Sequence, residues 1–294
     1  MQFFLELSLN GLVIGALYAL VALAIVLVCK ATEVVSLAHG QLLAFGALFF
    51  YVGYILLGLP LWAGWIVGLA MGAVLGFAVE RVCLRPLIGQ PLFSGFLMTF
   101  AVFIVLDGIF ALILKGQAWG FPDFLPKGDI TIAGVSVSIG GFFSLGICLV
   151  VFLLTVLFFR YTKVGLGMRA TAESHKLAQS VGINVRTIFS LVWILSAVVA
   201  VVAGVMLARY YDIRFMLTMV AFKGLVVAMV GGLDSLPGAL VGGLLLGWVE
   251  NVASGYLDPI VGGGIQEVAG YIMLLFVLLV RPYGIFGLVR IERV

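Results

Sequence analysis

An all-α polytopic membrane protein with about eight or nine transmembrane helices is the fold class this sequence predicts, and three observations carry it. Hydrophobic residues make up 64% of the 294-residue chain and charged residues only 10%, where soluble domains hold roughly half and a quarter. The mean hydropathy is +1.29. Apolar runs of about 20 residues, enough to cross a hydrocarbon core as helix, follow one another with short polar intervals. The chain therefore reads as a single transmembrane domain over 1–294, and any ATPase or ligand-capturing domain must be a separate polypeptide.

The first span, about Leu7 to Val28, carries Asn10, Gly11, Gly15 and Tyr18 near one face, which predicts close helix packing. It follows MQFFLELS with no basic region, so a cleaved signal peptide is not expected. Ser36, His39, Gly40 and Gln41 interrupt the start of a second span running to about Leu57. Polar groups at that depth must be covered by protein or line a cavity. Pro60 opens a third span with Gly64, Gly68, Gly72 and Gly76 in a four-residue stripe, ending at Glu80 and Arg81. Such a stripe lets two backbones approach closely. After RVCLRPLIGQP, a fourth span from about Phe93 to Leu114 contains Thr99 and Asp107. Lys115 to Ser138 is the longest outer segment, rich in turn formers, with TIAGVSVS as an extended piece, and it offers a docking surface to an external partner.

The fifth span, about Gly140 to Phe159, leads into the longest polar interval, GLGMRATAESHKLAQSVGINV, Gly165 to Val185. One short helix is expected there, capped by Thr171 or Ser174 and ended by Gly182 in a left-handed turn. Ala170, Leu177, Ala178 and Val181 fall near one face, with Glu173, Lys176 and Gln179 elsewhere. A short amphipathic helix of this kind either seats in a groove on a partner or merely connects two spans. The sixth span covers Thr187 to Ala208, after which Arg209, Asp212 and Arg214 are expected to face outward. Lys223 then interrupts an apolar segment, 216–233, that either spans or re-enters; Asp234 to Gly238 makes a turn, and a glycine-lined helix runs to Glu250 and Asn251. A last span, about Glu267 to Val280, closes with RPYGIFG and a basic tail.

Lys and Arg are held back on the cytoplasmic side of membrane proteins. With the Gly165 loop taken as cytoplasmic, that side holds Lys30, Arg81, Arg85, Arg160, Lys163, Arg169, Lys176, Arg186, Arg281, Arg290 and Arg293, and the other side Lys115, Lys127, Arg209 and Arg214. Eleven against four predicts the N-terminus outside and the C-terminus inside. Cys29, Cys83 and Cys148 have no metal or redox spacing and read as small buried residues.

An internal repeat is also legible. Gly68, Gly72 and Glu80 recur 170 positions later as Gly238, Gly242 and Glu250 (68 to 238, 72 to 242, 80 to 250), both sets on glycine-lined helices. His39-Gly40 and Lys223-Gly224 precede them. The expected plan is an inverted-topology pair, repeat one over about 5–115 and repeat two over about 187–281, joined by a linker span at about 139–160 and a loop at 161–186.

Ionisable residues inside spans are functional candidates by default. Asp107 and Lys223 are expected to pair across or gate a path, or else to form a structural ion pair or snorkel. His39 and Gln41 read as buried and hydrogen-bonded, Glu80 and Glu250 as solvated span ends, and Glu267 as an acid favoured at a helix start. Two distant histidines, no paired acids at catalytic spacing, no phosphate-binding glycine loop and no zinc pattern leave no enzyme chemistry to assign, and no metal or nucleic-acid site.

The order and spacing of NGLVIGALYALVALAIVLV, SLAHGQLLAFGA, LRPL, GLGMRATAESHKLAQSVGINV, AFKGLVVAMVGGLDSLPGALVGGLLLGWVEN and RPYGIFG resemble, over essentially the whole chain, one family. This is the membrane permease subunits of bacterial ABC importers for branched-chain amino acids, of the shorter of two paired types. The resemblance implies a multi-pass protein of the bacterial inner membrane that forms the path for branched-chain or other hydrophobic amino acids. It also implies a heterodimer with a second, homologous permease, two cytosolic ATPase subunits that carry the ATP and Mg, and an extracytoplasmic substrate-binding protein; this chain itself would hold no cofactor. Arg169, Ala172, Glu173, Ala178, Gly182 and Ile183 match the family's ATPase-coupling loop, with Lys176 and Leu177 beside them. Path candidates are Asn10, His39, Gln41, Thr99, Asp107, Lys223, Glu250 and Asn251. The family commonly has Asn-Phe where Ser36-Leu37 stand here, and relatives carry amides, urea or aromatic acids, so the cargo is left open among these. The competing reading is an ion-coupled secondary transporter or channel in which Asp107, Lys223 or Glu250 carries the coupled proton or ion.

Overall fold

A computed structural model describes residues 1–132 and 135–287. Ala133 and Gly134 of TIAGVSVS, and Arg290 and Arg293 of the basic tail, lie outside the described residues. The helices are α1 (Gln2–Thr32), α2 (His39–Tyr51), α3 (Leu61–Ala78), α4 (Leu92–Leu114), α5 (Ile139–Tyr161), α6 (Lys163–Glu173), α7 (His175–Ser180), α8 (Val185–Tyr211), α9 (Phe215–Gly231), α10 (Leu236–Val261) and α11 (Ile265–Val280). A hairpin of β1 (Asp129–Ile132) and β2 (Val135–Ser138) precedes α5, with Asp129 opposite Ser138. Wider π-type turns extend α2 over Val52–Leu56 and α3 over Val79–Leu84.

Among the described residues, seven helices are long and apolar enough to cross a membrane: α1, extended α2, extended α3, α4, α5, α8 and α10. The expected eight or nine are approached through α9 and α11, apolar but only 17 and 16 residues long. The glycine-lined helix α10 does not stop at Asn251; it runs on through Pro259 to Val261, where Gly262 takes φ +96° and ends it.

The chain divides into two compact units. One comprises Met1–Val26, Leu125–Val150 and the chain from Lys223 onward; the other comprises Leu27–Phe124 and Val151–Phe222. In the second, α8 is buried along almost its whole length and α3 lays its glycine stripe on its neighbours. Gly64 and Gly68 face Tyr54 and Phe50, while Gly72 and Gly76 face Val201, Ala197 and Trp193 of α8. A Cβ on Gly76 would stand 2.5 Å from the Ala197 Cβ and 2.8 Å from the Trp193 carbonyl oxygen. In the first unit, α10 meets α1 in the same manner: a Cβ on Gly15 would stand 2.6 Å from the Gly243 carbonyl oxygen and one on Gly11 2.8 Å from that of Gly247. Gly231 of α9 abuts Gly238 of α10, and Gly224 abuts Val21 of α1.

The connections are fastened by polar contacts. Arg209 and Asp212 secure the segment after α4: the Arg209 guanidinium donates to Asp123 at 2.6 Å and Asp212 accepts from the Phe121 N–H at 3.0 Å. Trp119 pairs with Ile213 through both backbone bonds, and Phe121 and Phe124 rest on Phe50. At the other end of the chain, the Ile285 and Phe286 N–H groups bond the last carbonyls of α9, so RPYGIFG folds back along that helix. One face of α4 stays exposed, with Phe93, Leu97, Phe100, Ile104 and Leu112, and is apolar as a lipid-facing surface requires.

The glycine stripe generates a stability prediction. Gly76→Val drives its side chain into α8 and is expected to cost about 1–3 kcal/mol as an overpacked contact, read as a lowered Tm of the detergent-purified protein. Gly108→Ala on α4, where an added Cβ meets nothing within 4 Å, leaves Tm unchanged or slightly raised.

Candidate coupling segment and intramembrane polar clusters

Between α5 and α8 the chain forms two helices where one was expected. Thr162 is extended at φ −88°, ψ 157°, and its hydroxyl accepts from the Gly165 N–H at 2.9 Å, so Thr162 starts α6. Ser174, at φ −163° and ψ 119°, breaks the helix after Glu173 and caps α7 by accepting from Leu177 N–H at 3.3 Å. Thr171 caps nothing: it is buried, and its hydroxyl donates back to the Gly167 and Met168 carbonyls. Gly182 holds φ +85°, the left-handed turn predicted for it. Asn184 then caps α8 by accepting from the Thr187 N–H.

Arg169 roots the segment in the membrane helices by donating Nη1 to the carbonyls of Phe159 and Arg160, at 2.9 and 2.7 Å, the unsatisfied acceptors at the end of α5. Gly167 lies on Ile188, and the His175 ring meets Phe189 edge-on at 5.4 Å, both on the first turns of α8. Ala178 is buried, while Ala172 and Ile183 are half-buried. The expected shared apolar face divides: Leu177 and Val181 point to the outside at 68% and 74% exposure, amid exposed Glu173, Lys176, Gln179 and Gly182. Leu177 and Val181 thus form an exposed apolar tip rimmed by charge, on a segment pinned at its base. A cavity of about 570 Å³ lies between α6–α7 and the α3–α4 connection, lined by Glu33, Leu87, Gln90, Glu173, His175 and Phe189 among others.

Among the described residues the intramembrane charged side chains gather in three groups, and Asp107 takes a partner other than the expected Lys223. Asp107 accepts from Gln41 Nε2 at 2.7 Å. Lys223 Nζ lies 3.1 Å from Glu250 Oε2 and 3.4 Å from Glu267 Oε1, with the Tyr18 ring beneath it at 5.6 Å. The glycine contact of α9 on α10 brings Lys223 to Glu250, and a charge in a low-dielectric interior takes the opposite charge that its own packing supplies. Glu267 therefore does more than sit at a helix start. Glu80 and Glu250, expected as solvated ends, are each only 1% exposed. Glu80 is gripped by Arg85 through Nε and Nη2, both at 3.1 Å, and accepts from the Ser190 hydroxyl at 2.7 Å.

His39 is buried as expected, its Nε2 2.6 Å from Ser196 Oγ and its ring 5.4 Å from Trp193. Thr99 is wholly buried and serves as a fastener: it donates to the Phe96 carbonyl and accepts from the Leu37 N–H, holding the α1–α2 connection against α4. Asn251 donates to the Gly247 carbonyl at 3.0 Å, and Asn10 is half-buried beside Gly11. The second unit thus holds His39, Gln41, Thr99 and Asp107, and the first holds Asn10, Lys223, Glu250 and Asn251. Arg85, Ser190, Ser196 and Tyr18 escaped the sequence reading as site residues, because a lone Ser or Tyr in an apolar run carries no periodic signal. Among the described residues no three His, Cys, Asp or Glu side chains gather as a metal site, and Cys29, Cys83 and Cys148 form no disulfide.

Stacked apolar spans with internally paired charges define a multi-pass membrane protein. Residues 7–280 match the family described as branched-chain amino acid transport system / permease component, and the chain belongs to it. It is 28% identical to the high-affinity branched-chain amino acid transport system permease protein LivH of Salmonella typhimurium, over 99% of this chain and 98% of that one. It is 30% identical to the corresponding permease protein BraD of Pseudomonas aeruginosa, again over 99% and 98%. Among solved structures, a chain of PsaBC from Streptococcus pneumoniae in complex with Fab is similar with a TM-score of 0.49 and 16% identity, covering 96% of this chain and 93% of that one. The protein is thus a multi-pass inner-membrane permease of the branched-chain amino acid ABC transport family.

The Lys223–Glu250 pair is testable through a double-mutant cycle. Lys223→Met or Glu250→Gln alone strands a buried partner and is expected to cost about 3–5 kcal/mol, whereas the double variant loses well under the sum. Denaturant unfolding in detergent reads both.

Proposed function

We propose that this chain forms one half of the translocation path of an ATP-driven importer for branched-chain or other hydrophobic amino acids. In this reading the stroke comes from two cytosolic ATPase subunits, which hold the ATP and Mg; this chain binds no cofactor and is not an enzyme. An extracytoplasmic binding protein delivers the cargo, and a second, homologous permease completes a heterodimer. The observation that carries the proposal is the α6–α7 segment. Its exposed Leu177, Val181, Glu173 and Lys176 offer a knob to a cytosolic groove, while Arg169, Gly167 and His175 fix its base to α5 and α8. Arg169, Ala172, Glu173, Lys176, Leu177, Ala178, Gly182 and Ile183 make up the coupling element.

We place the N-terminus outside and the C-terminus inside on the charge asymmetry. The inverted repeat is supported by a common plan. In one unit the glycine-lined α3 lies on α2 and α8, and in the other the glycine-lined α10 lies on α9 and α1. Polar anchors for the cargo are sought in the unit that holds His39, Gln41 and Asp107. Ser36 Oγ and Gln41 Oε1 are buried without a hydrogen-bond partner among the described residues, polar capacity that a zwitterion's ends can use.

An ion-coupled carrier in which Asp107, Lys223 or Glu250 moves a proton predicts a different outcome: transport by the isolated chain in ATP-free vesicles, abolished by collapsing the gradient. The importer reading predicts none. It further predicts that Glu173→Arg and Gly182→Pro each lower permease-stimulated ATP hydrolysis by about tenfold, with the permease still folded. Proline fixes φ near −65° and cannot occupy a turn held at +85°. Undiminished stimulation in both variants overturns the assignment.

A further inference from the structure

We infer that Glu80, Arg85 and Ser190 form a clamp that conveys movement of the coupling segment into the transmembrane helices, acting as positioning residues for transport. The inference rests on α6–α7 being the ATPase-coupling element. Arg85 Nη2 reaches three groups on two helices: Glu80 Oε2 at 3.1 Å, Ser190 Oγ at 2.5 Å and the Arg186 carbonyl at 3.5 Å. Its Nε donates to Glu80 Oε1, completing a two-pronged guanidinium–carboxylate pair, the geometry that fixes direction as well as distance. Ser190 closes the ring by donating to Glu80 Oε2 at 2.7 Å. Glu80 is 1% exposed and the Arg85 side chain 20%, so water does not loosen the pair.

Local structure explains how the ring forms. Glu80 and Arg85 are five residues apart, a spacing that an α-helix turns to different sides. Across Val79–Leu84 the helix widens to the i→i+5 ladder of a π-turn, which brings positions five apart into register. A π-turn costs hydrogen-bond quality, and here it serves to aim one guanidinium at the base of α8.

The coupling segment is anchored inward at two places, on the end of α5 through Arg169 and on the base of α8. Towards the α3–α4 connection it faces the 570 Å³ cavity instead of packed side chains. Against α8, by contrast, Gly167 meets Ile188 and His175 meets Phe189. Ser190 is the next residue and the first of an α8 face that continues through Trp193, Ala197 and Val201, at helical spacing, along Glu80, Gly76 and Gly72 of α3. Trp193 and the neighbouring Ser196 also touch His39. The clamp is the lowest rung of the α3–α8 interface, so displacement of the α8 base carries α3 with it and reaches the His39 cluster.

The test uses the assembled transporter, permease pair with ATPases and binding protein, in proteoliposomes, and reads cargo imported per ATP hydrolysed. Ser190→Ala and Glu80→Gln are expected to lower that ratio by about fivefold or more, within the usual range of allosteric coupling, while the ATPases still co-purify. Arg85→Lys, which keeps the charge but not the fork, falls between wild type and Arg85→Met. An unchanged ratio in these variants, or transport and hydrolysis falling in proportion, overturns the clamp and leaves the trio a packing contact. If Glu80→Gln fails to assemble, Ser190→Ala decides, since it deletes only a hydroxyl. Failure of the underlying coupling assignment shows itself separately, as Glu173→Arg with undiminished ATPase stimulation.

Discussion

Helices in a bilayer gain nothing from hiding apolar surface from lipid that is as apolar as leucine, so this chain is held together where its backbones can touch. Both units solve the problem in the same way. Gly72 and Gly76 bring α3 onto α8, and Gly243 and Gly247 bring α10 onto α1, at distances that a single added methyl would violate. Two of the interior charged clusters are placed by these contacts. Lys223 finds Glu250 because Gly231 and Gly242 set α9 against α10, and Ser190 finds Glu80 because Gly76 sets α8 against α3.

The second consequence concerns charge. An ionised side chain left alone in hydrocarbon costs several kcal/mol, so charges retained there are paired or shielded. Glu80 with Arg85 and Glu250 with Lys223 are closed pairs, while Asp107 accepts an amide hydrogen bond from Gln41. What is left along the helices is mostly apolar. A coupled-ion carrier needs a carboxylate that can change partners with its cargo; here Glu250 is committed to a lysine and Glu80 to an arginine fork.

The spans were legible because each is a long apolar run bounded by Gly, Pro or charge, and α4, α5 and α8 lie within three residues of their expected limits. The α3 stripe was legible as well, since glycine at every fourth position has few other uses. The break at Ser174 was not, because Thr171 and Ser174 are equally good caps in isolation and only the buried back-bond of Thr171 separates them. The end of α10 was missed for a related reason: ASGYLDP reads as a loop, yet it remains helical through Pro259. Pairing was the least legible feature. Asp107 and Lys223 are the most conspicuous opposite charges in the spans, but a sequence does not state which helix faces pack, and that alone decided their partners. Glu80 looked solvated because a span boundary shows where a helix ends and not that its last turn is π-shaped.

Of the two glycine-lined helices, α3 has the partner that begins at the α6–α7 segment. α8 rises directly from Asn184, so what happens at α6–α7 happens at its first turn, and its buried face then runs past Glu80, Gly76 and Gly72 in order. Val201 and Ala197 of α8 fill the grooves that Gly72 and Gly76 leave open, a close contact made by shape alone. The Glu80–Arg85–Ser190 ring at the base of α8 adds what shape does not, because charge-assisted bonds fix direction as well as distance. In the proposed stroke the two are complementary: the stripe holds α8 close to α3 along its length, and the ring fixes where its base sits.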